Sequence, residues 1–167
     1  ISGSKGTGLI DTNFICKGDS LLLVANFSST HAIDSLVWDY GNNLRVNRLD
    51  NHFHQFKQSG VFNLNFEVFN NLGCLDIINF DTLVVSGPDI DFLASDTLVC
   101  LNNEVNFKNL AKGNTLSYEW KTEDKIYFNI DITHQYKQVG FKEVELIAMD
   151  KFGCKDSLTK NNYIEEA

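Results

Sequence analysis

Two stretches of this chain carry the same landmarks in the same order, about 80 residues apart. Ile15-Cys16-Lys17-Gly18-Asp19 answers to Val99-Cys100-Leu101-Asn102-Asn103, and Trp38 answers to Trp120. His54-Gln55-Phe56-Lys57-Gln58-Ser59-Gly60 answers to His134-Gln135-Tyr136-Lys137-Gln138-Val139-Gly140. Asn71-Leu72-Gly73-Cys74-Leu75-Asp76 answers to Lys151-Phe152-Gly153-Cys154-Lys155-Asp156. Such a repeat divides the 167 residues into two small modules, each burying too little surface to be robust unaided. The boundary is expected at Ser86-Gly87-Pro88, with modules at 1–86 and 87–167. A joint this short and containing Pro is stiff, so the modules are expected end to end with limited bending.

Each landmark borders a stretch in which apolar residues fall two apart, the period of a half-buried strand. Leu21, Leu23, Ala25 and Phe27 form one such stretch; Leu36, Trp38 and Tyr40 form another; Phe62, Leu64, Phe66 and Val68 form the clearest. The second copy offers Val105 and Phe107, Tyr118 and Trp120, then Val144, Leu146 and Ala148. Lys142 stands where Phe62 would be, so this strand is expected to begin later or to expose its first residue. Phe53 and Phe56 are expected in the core. No window shows a helical stripe. The reading is all-β: two tandem antiparallel sandwiches.

Hydrophobic residues make up 43% of the chain, enough for packed cores, and 13 Phe favour pleated, half-buried surfaces. The balance of 14 basic and 22 acidic residues gives a net charge of −8, which repels phosphate backbones and excludes nucleic acid as a partner. No apolar run approaches the roughly 18–20 residues that cross a bilayer as a helix, so no direct membrane insertion is expected. The opening Ile1-Ser2-Gly3-Ser4-Lys5-Gly6-Thr7-Gly8 lacks the apolar middle of a signal peptide, and the chain is expected to be a fragment of a longer one.

Each copy has two cysteines, one ahead of its second strand and one in a Gly-Cys turn near its end. Four cysteines allow three pairings. The repeat favours Cys16–Cys74 and Cys100–Cys154, because each copy must then satisfy itself. Loop closure would contribute at most about 4 kcal/mol per bridge. Free buried thiols or a metal site are the alternatives, although zinc sites usually show closely spaced cysteine pairs. Disulfides imply an oxidising compartment, extracellular or at the cell surface.

Together, Val/Ile-Cys ahead of the second strand, Trp38-Asp39-Tyr40-Gly41, the His-x-Phe/Tyr step and Gly-Cys-x-Asp resemble the PKD domain (polycystic kidney disease-type repeat). They are similar in particular to the disulfide-bearing copies in secreted and surface proteins of Bacteroidota. The resemblance runs from about Leu9 to about Tyr163 and implies an immunoglobulin-like sandwich. The first copy departs from the family's Trp-Asp-Phe-Gly-Asp-Gly turn by Asn42-Asn43. The second has lost the turn, reading Trp120-Lys121-Thr122-Glu123-Asp124.

The candidate chemistry is sparse. His31, His52, His54 and His134 accompany no nucleophile elbow, so no catalytic residue is assigned and the chain is not expected to be an enzyme. His54 and His134 recur at one position, which points to a shared structural hydrogen bond. His52 and His54 would share a strand face as metal ligands do, but Ile132 replaces His52 in the second copy. Asp39, Asn42 and Asn43 could offer oxygens to calcium, whereas Asp and Asn in tight turns usually serve the backbone. No cofactor or metal is expected.

Tyr127 and Phe128 have no counterpart pattern in the first copy and are taken as an exposed contact loop. Asp-Ser/Thr-Leu recurs at Ser20, Ser35, Thr82, Thr97 and Ser157, and resembles the O-glycosylation sequence of Bacteroidota exported proteins; the alternative is that it simply opens strands. Asn26-Phe27-Ser28 fits an N-glycosylation sequon, but Phe27 reads as core-facing. The function expected is a non-catalytic spacer or interaction segment of a larger adhesin, gliding or secretion-associated protein. It would stiffen or present neighbouring domains, with a surface or secretion-machinery protein as partner. The alternative is a glycan-binding module attached to a secreted hydrolase.

Overall fold

The computed structural model describes residues 5–9, 12–29, 31–114 and 116–167, with side chains from residue 12 onward. Of the opening segment, Ile1–Ser4 lie outside the described residues. The chain separates into two compact units, 1–86 and 87–167. The described residues form strands and turns with no helix, so no helix is long and apolar enough to cross a membrane.

The first unit holds β1 (Lys5–Leu9), β2 (Phe14–Cys16), β3 (Ser20–Ser28), β4 (Ile33–Asp39), β5 (Arg45–Asn47), β6 (His52–Gln55), β7 (Gly60–Phe62), β8 (Asn65–Asn70), β9 (Leu75–Asn79) and β10 (Leu83–Ser86). One layer is β1-β3-β6. The other joins β5-β4-β8-β9 to β2-β10-β7, since β7 runs on into β8 and β9 into β10. All pairings are antiparallel except β2 with β10.

The second unit holds β11 (Phe92–Ala94), β12 (Leu98–Val99), β13 (Glu104–Asn109), β14 (Ser117–Lys121), β15 (Ile126–Tyr127), β16 (Ile132–Gln135), β17 (Gly140–Met149) and β18 (Lys155–Glu166). Its layers are β11-β13-β16 and β12-β18-β17-β14-β15, strand for strand the order of the first unit. The long β17 and β18 replace the interrupted β7–β8 and β9–β10.

Alternation decides which side chains enter each sandwich. The first core holds Leu21, Leu23, Leu36, Trp38, Phe56, Phe66 and Val68; the second holds Phe92, Val105, Phe107, Trp120, Val144, Leu146 and Ile164. The period-2 expectation thus holds for Phe62, Leu64, Phe66 and Val68, all buried. The expectation that Phe53 and Phe56 enter the core holds at Phe56, which is buried, and fails at Phe53, which is 68% exposed because its neighbours His52 and His54 take the inward positions of β6. The expectation for Lys142 fails too, since it lies within β17 and is only 5% exposed, rather than preceding the strand or opening to solvent.

The pairings Cys16–Cys74 and Cys100–Cys154 do not form. Cys74 and Cys100 are free and exposed, whereas Cys16 and Cys154 are disulfide-bonded. Strand direction gives the reason. Cys16 precedes β3 and Cys74 follows β8, and these strands run the same way, so start and finish lie at opposite ends. Cys16 sits beside Ser86 and the β10–β7 pairing that begins at Gly60. Cys74 lies beyond Asn70, after the whole of β7 and β8, which at about 3.3 Å per residue is roughly 30 Å away. The same holds for Cys100, next to the β12–β18 pairing at Glu166, and Cys154, beyond Met149. A disulfide requires Cα atoms within about 7 Å. One bridge inside each module is geometrically excluded.

Candidate functional site

The structure gathers the unusual chemistry of the second unit where the first holds only hydrocarbon. Phe56, Phe62 and Val85 are buried in the first unit; the equivalent positions carry Tyr136, Lys142 and Glu166. Their relative exposures are only 2%, 5% and 2%, so three polar groups replace apolar ones without moving to the surface. β16 delivers His134 and leads into Tyr136, β17 delivers Lys142, β18 delivers Glu166, and the β14–β15 turn brings Glu123 and Asp124 over them. Burying Lys142 is tolerated because its Nζ donates to Glu123 Oε2 at 2.7 Å, while the ammonium stands 5.9 Å from the centre of the Tyr136 ring. Glu166 Oε1 accepts the Asn102 backbone N–H at 3.1 Å.

The pairing is incomplete. His134 Nε2, Tyr136 Oη and Glu166 Oε2 are buried and make no hydrogen bond among the described residues. Asp124 Oδ1 comes within 3.3 Å of His134 Nε2 but is poorly directed for a hydrogen bond. Burial holds His134 below the usual imidazole range, against the opposing pull of Asp124, so the ring is neutral near pH 7 and the contact is not an ion pair. Burial also raises Tyr136 far above the usual phenol range, reinforced by the nearby acids Glu123, Glu166 and Asp124. The cluster therefore presents a neutral imidazole and an un-ionised phenol beside one paired cation.

The recurring histidines are held differently in the two units. Tyr127 Oη lies 2.8 Å from His134 Nδ1. In the first unit Tyr40 fills that role from the end of β4, its ring stacked on His54 with centroids 3.8 Å apart. His52 takes the hydroxyl instead, with Nε2 2.6 Å from Tyr40 Oη and Nδ1 3.2 Å from the Asp50 carbonyl. A tyrosine thus supports the histidine in both copies, and it comes from a different strand in each. His52 and His54 do share a face, but they use it on Tyr40 and Trp38. The hydrogen bond expected at both His54 and His134 is present at His134, while His54 is held by stacking.

This burial predicts a pH dependence. Below the ordinary histidine pKa the unfolded chain binds a proton that folded His134 resists, so stability is complete above that pH and falls as pH drops toward the depressed folded value. His54 is lowered by burial too, and then by His52, and acts in the same sense. Both units should melt at lower temperature at about pH 5 than at about pH 7.5. A melting temperature that stays flat over that interval would contradict this.

Tyr127 and Phe128 separate. Tyr127 is half-buried against the second core with its hydroxyl engaged, whereas Phe128 is 73% exposed. Ile126 and Ile130 flank Phe128 and are also exposed, giving a short apolar rim. In the calcium-like turn, Asp39 Oδ1 accepts the Gly41 N–H and Asn42 Oδ1 the Leu44 N–H, while Asn43 has φ 66°. Those oxygens serve the backbone of the turn. Among the described residues, no group of three or more His, Cys, Asp or Glu is placed to hold a metal ion. Ser20, Thr82, Thr97 and Ser157 are exposed and Ser35 is half-buried. The buried trio was hard to foresee: Tyr136 and Lys142 departed visibly from Phe56 and Phe62, but nothing in the repeat aligned Glu166 with Val85.

Several solved structures resemble the chain at low identity. The fibronectin(III)-like modules of CbhA from Clostridium thermocellum match at 14% identity and TM-score 0.40, covering 96% of this chain and 95% of that one. Carbohydrate-binding modules from the β-sandwich superfamily match at 12% identity and TM-score 0.48, covering 89% of this chain and 55% of that one. The N-terminal eight immunoglobulin domains of the Down Syndrome Cell Adhesion Molecule match at 13% identity and TM-score 0.47, covering 96% of this chain and 24% of that one. No curated protein sequence matches the chain. Residues 85–165, almost the whole second unit, match the PKD domain family.

Proposed function

We propose that the chain is a pair of tandem PKD-like modules acting as a non-catalytic spacer or interaction segment of a larger secreted or surface-anchored protein. The observation that carries this reading is that the first unit repeats, strand for strand, the order of the unit that matches the PKD family. The disulfide-bonded Cys16 and Cys154 support an oxidising, extracytoplasmic setting. Closed cores filled by aromatic and aliphatic residues suit a body that transmits force or presents neighbours. The exposed hydroxyls of Ser20, Thr82, Thr97 and Ser157 are the positions proposed for O-glycosylation. The expected behaviour is mechanical. Stretched between handles under reducing conditions, the chain should unfold in two steps, each releasing roughly 28 nm for roughly 80 residues. Extension without force peaks, or in a single step, would count against two modules.

A second reading has one observation in its favour, the outward Phe128 between Ile126 and Ile130. An aromatic ring standing free can stack on a sugar or anchor a protein partner. If this rim is a glycan contact, Phe128→Ala should abolish retention on a glycan array while leaving the melting temperature unchanged. Retention that survives the substitution would remove this reading.

A further inference from the structure

We propose that Cys74 and Cys100 are the two halves of a head-to-tail disulfide, each pairing with the complementary cysteine of another module of this kind. The inference rests on the module reading above and adds the partner and the bond. Each module carries one cysteine at its hairpin end, Cys74 or Cys154, and one at its terminal end, Cys16 or Cys100, beside the unit's last residue. A bridge within a module is excluded by the length of β7–β8 and of β17. In each unit one of these cysteines is disulfide-bonded and the other is free.

The free thiols stand in the same backbone settings as their bonded equivalents. Asn70 Oδ1 accepts the N–H groups of Leu72 and Cys74, both at 3.0 Å, and Asp150 Oδ1 accepts those of Phe152 and Cys154 at 2.9 and 3.0 Å. Gly73 and Gly153 close the two turns with φ 75° and 87°. At the other end, Asp19 donates its N–H to the Cys16 carbonyl and Asn103 its N–H to the Cys100 carbonyl, each at 3.0 Å. Gln55 Nε2 donates to the Gly18 carbonyl, as Gln135 Nε2 does to that of Asn102. A turn shaped to present a bonded sulfur in one copy therefore presents an unbonded one in the other.

What is left over is one hairpin-end and one terminal-end cysteine, a complementary set. Both have exposed leucines beside them in the chain, which a docked module would cover. Leu72 and Leu75 flank Cys74 at 64% and 50% exposure; Leu98 and Leu101 flank Cys100 at 64% and 39%. The chemistry is thiol–disulfide exchange with a small disulfide such as oxidised glutathione. The Cys100 thiolate attacks one glutathione sulfur and releases a glutathione thiolate. The Cys74 thiolate of the second module then displaces the other glutathione. Two protein thiols are oxidised to one disulfide and one oxidised glutathione is reduced to two thiols, the two cysteine protons passing to the released thiolates.

The test uses the whole chain in a glutathione redox buffer, read by non-reducing electrophoresis and peptide mapping. The parent chain should form a ladder of linked copies yielding a Cys74–Cys100 peptide. Cys74→Ser and Cys100→Ser alone should stay monomeric. An equimolar mixture of the two should give a heterodimer, roughly tenfold or more in excess of either homodimer, as expected when docking raises the effective thiol concentration. Homodimers forming as fast as the heterodimer, an internal Cys74–Cys100 bridge in a monomer, or glutathione adducts alone would each overturn the proposal. Cooperative melting of both variants assigns such a failure to the linkage; a unit that does not melt cooperatively would instead count against the module reading.

Discussion

Replacing Trp120 with alanine is expected to lower the melting temperature of the second unit sharply while the first keeps its transition. Trp120 is fully buried, with its ring 5.1 Å from Phe92 and 6.0 Å from Phe107, so truncation leaves a void at the centre of the sandwich. Removing a buried Trp costs about 3–5 kcal/mol. A module of this size is stabilised by only about 4–12 kcal/mol, so its melting temperature should fall by about 20 °C or more. The chain has two Trp residues, one in each core, which makes the experiment self-reporting. In the variant the remaining fluorescence comes from Trp38 and follows the first unit alone. A second unit that still melts within a few degrees of the parent, followed by far-UV circular dichroism, would show that the indole is not central to its core.

The milder changes to phenylalanine should differ between the copies. Trp120 Nε1 donates to the carbonyls of Asn129 and Ile130 at 3.2 Å, whereas Trp38 Nε1 makes no hydrogen bond among the described residues. Trp120→Phe gives up a donation to two carbonyls of exposed residues, which water can take over, and should cost about 0.5–1.5 kcal/mol more than Trp38→Phe.

Converting the buried trio of the second unit to that of the first is expected to stabilise it. The triple variant Tyr136→Phe, Lys142→Phe, Glu166→Val removes a buried cation and, with no partner among the described residues, one buried carboxylate oxygen and a buried phenol. Exchanging buried ionic groups for well-packed apolar ones is often neutral or stabilising by about 1–4 kcal/mol. The first unit shows that this sandwich accommodates the apolar set. Lys142→Ala alone should act oppositely, because it leaves a cavity beneath β17 and frees Glu123 without relieving Glu166 or Tyr136. Denaturant titration separates the two outcomes; a triple variant less stable than the parent by more than about 1 kcal/mol would show that the polar set is better packed than its orphaned atoms suggest. A stabilised variant would instead mark the trio as retained for a purpose other than stability.

The repeat and the strand periods were legible because both are local. Alternation along Phe62–Val68 and Val144–Ala148 follows from the pleat alone, and recurring landmarks can be matched without any knowledge of packing. Phe53 misled because period 2 fixes two faces but not which one is inside, and His52 and His54, holding Tyr40 and Trp38, took the inner one. Lys142 misled because a cation on an apolar face reads as exposed until Glu123 is brought over it from another strand. Tyr127 read as a loop aromatic because its support of His134 crosses from β15 to β16.

The sequence alone determined that the chain is all-β, with the same landmarks, cysteines among them, recurring in the same order about 80 residues apart. Only the tertiary structure decided what those cysteines can reach. Sequence order shows that one precedes a strand and the other follows one, but not that the two strands run in the same direction and so carry the sulfurs to opposite ends. The buried trio has the same origin, since Tyr136, Lys142 and Glu166 become neighbours only when β16, β17 and β18 are folded together. Short-range periodicity is written into the chain by the geometry of the backbone, whereas contacts between strands depend on how the layers close.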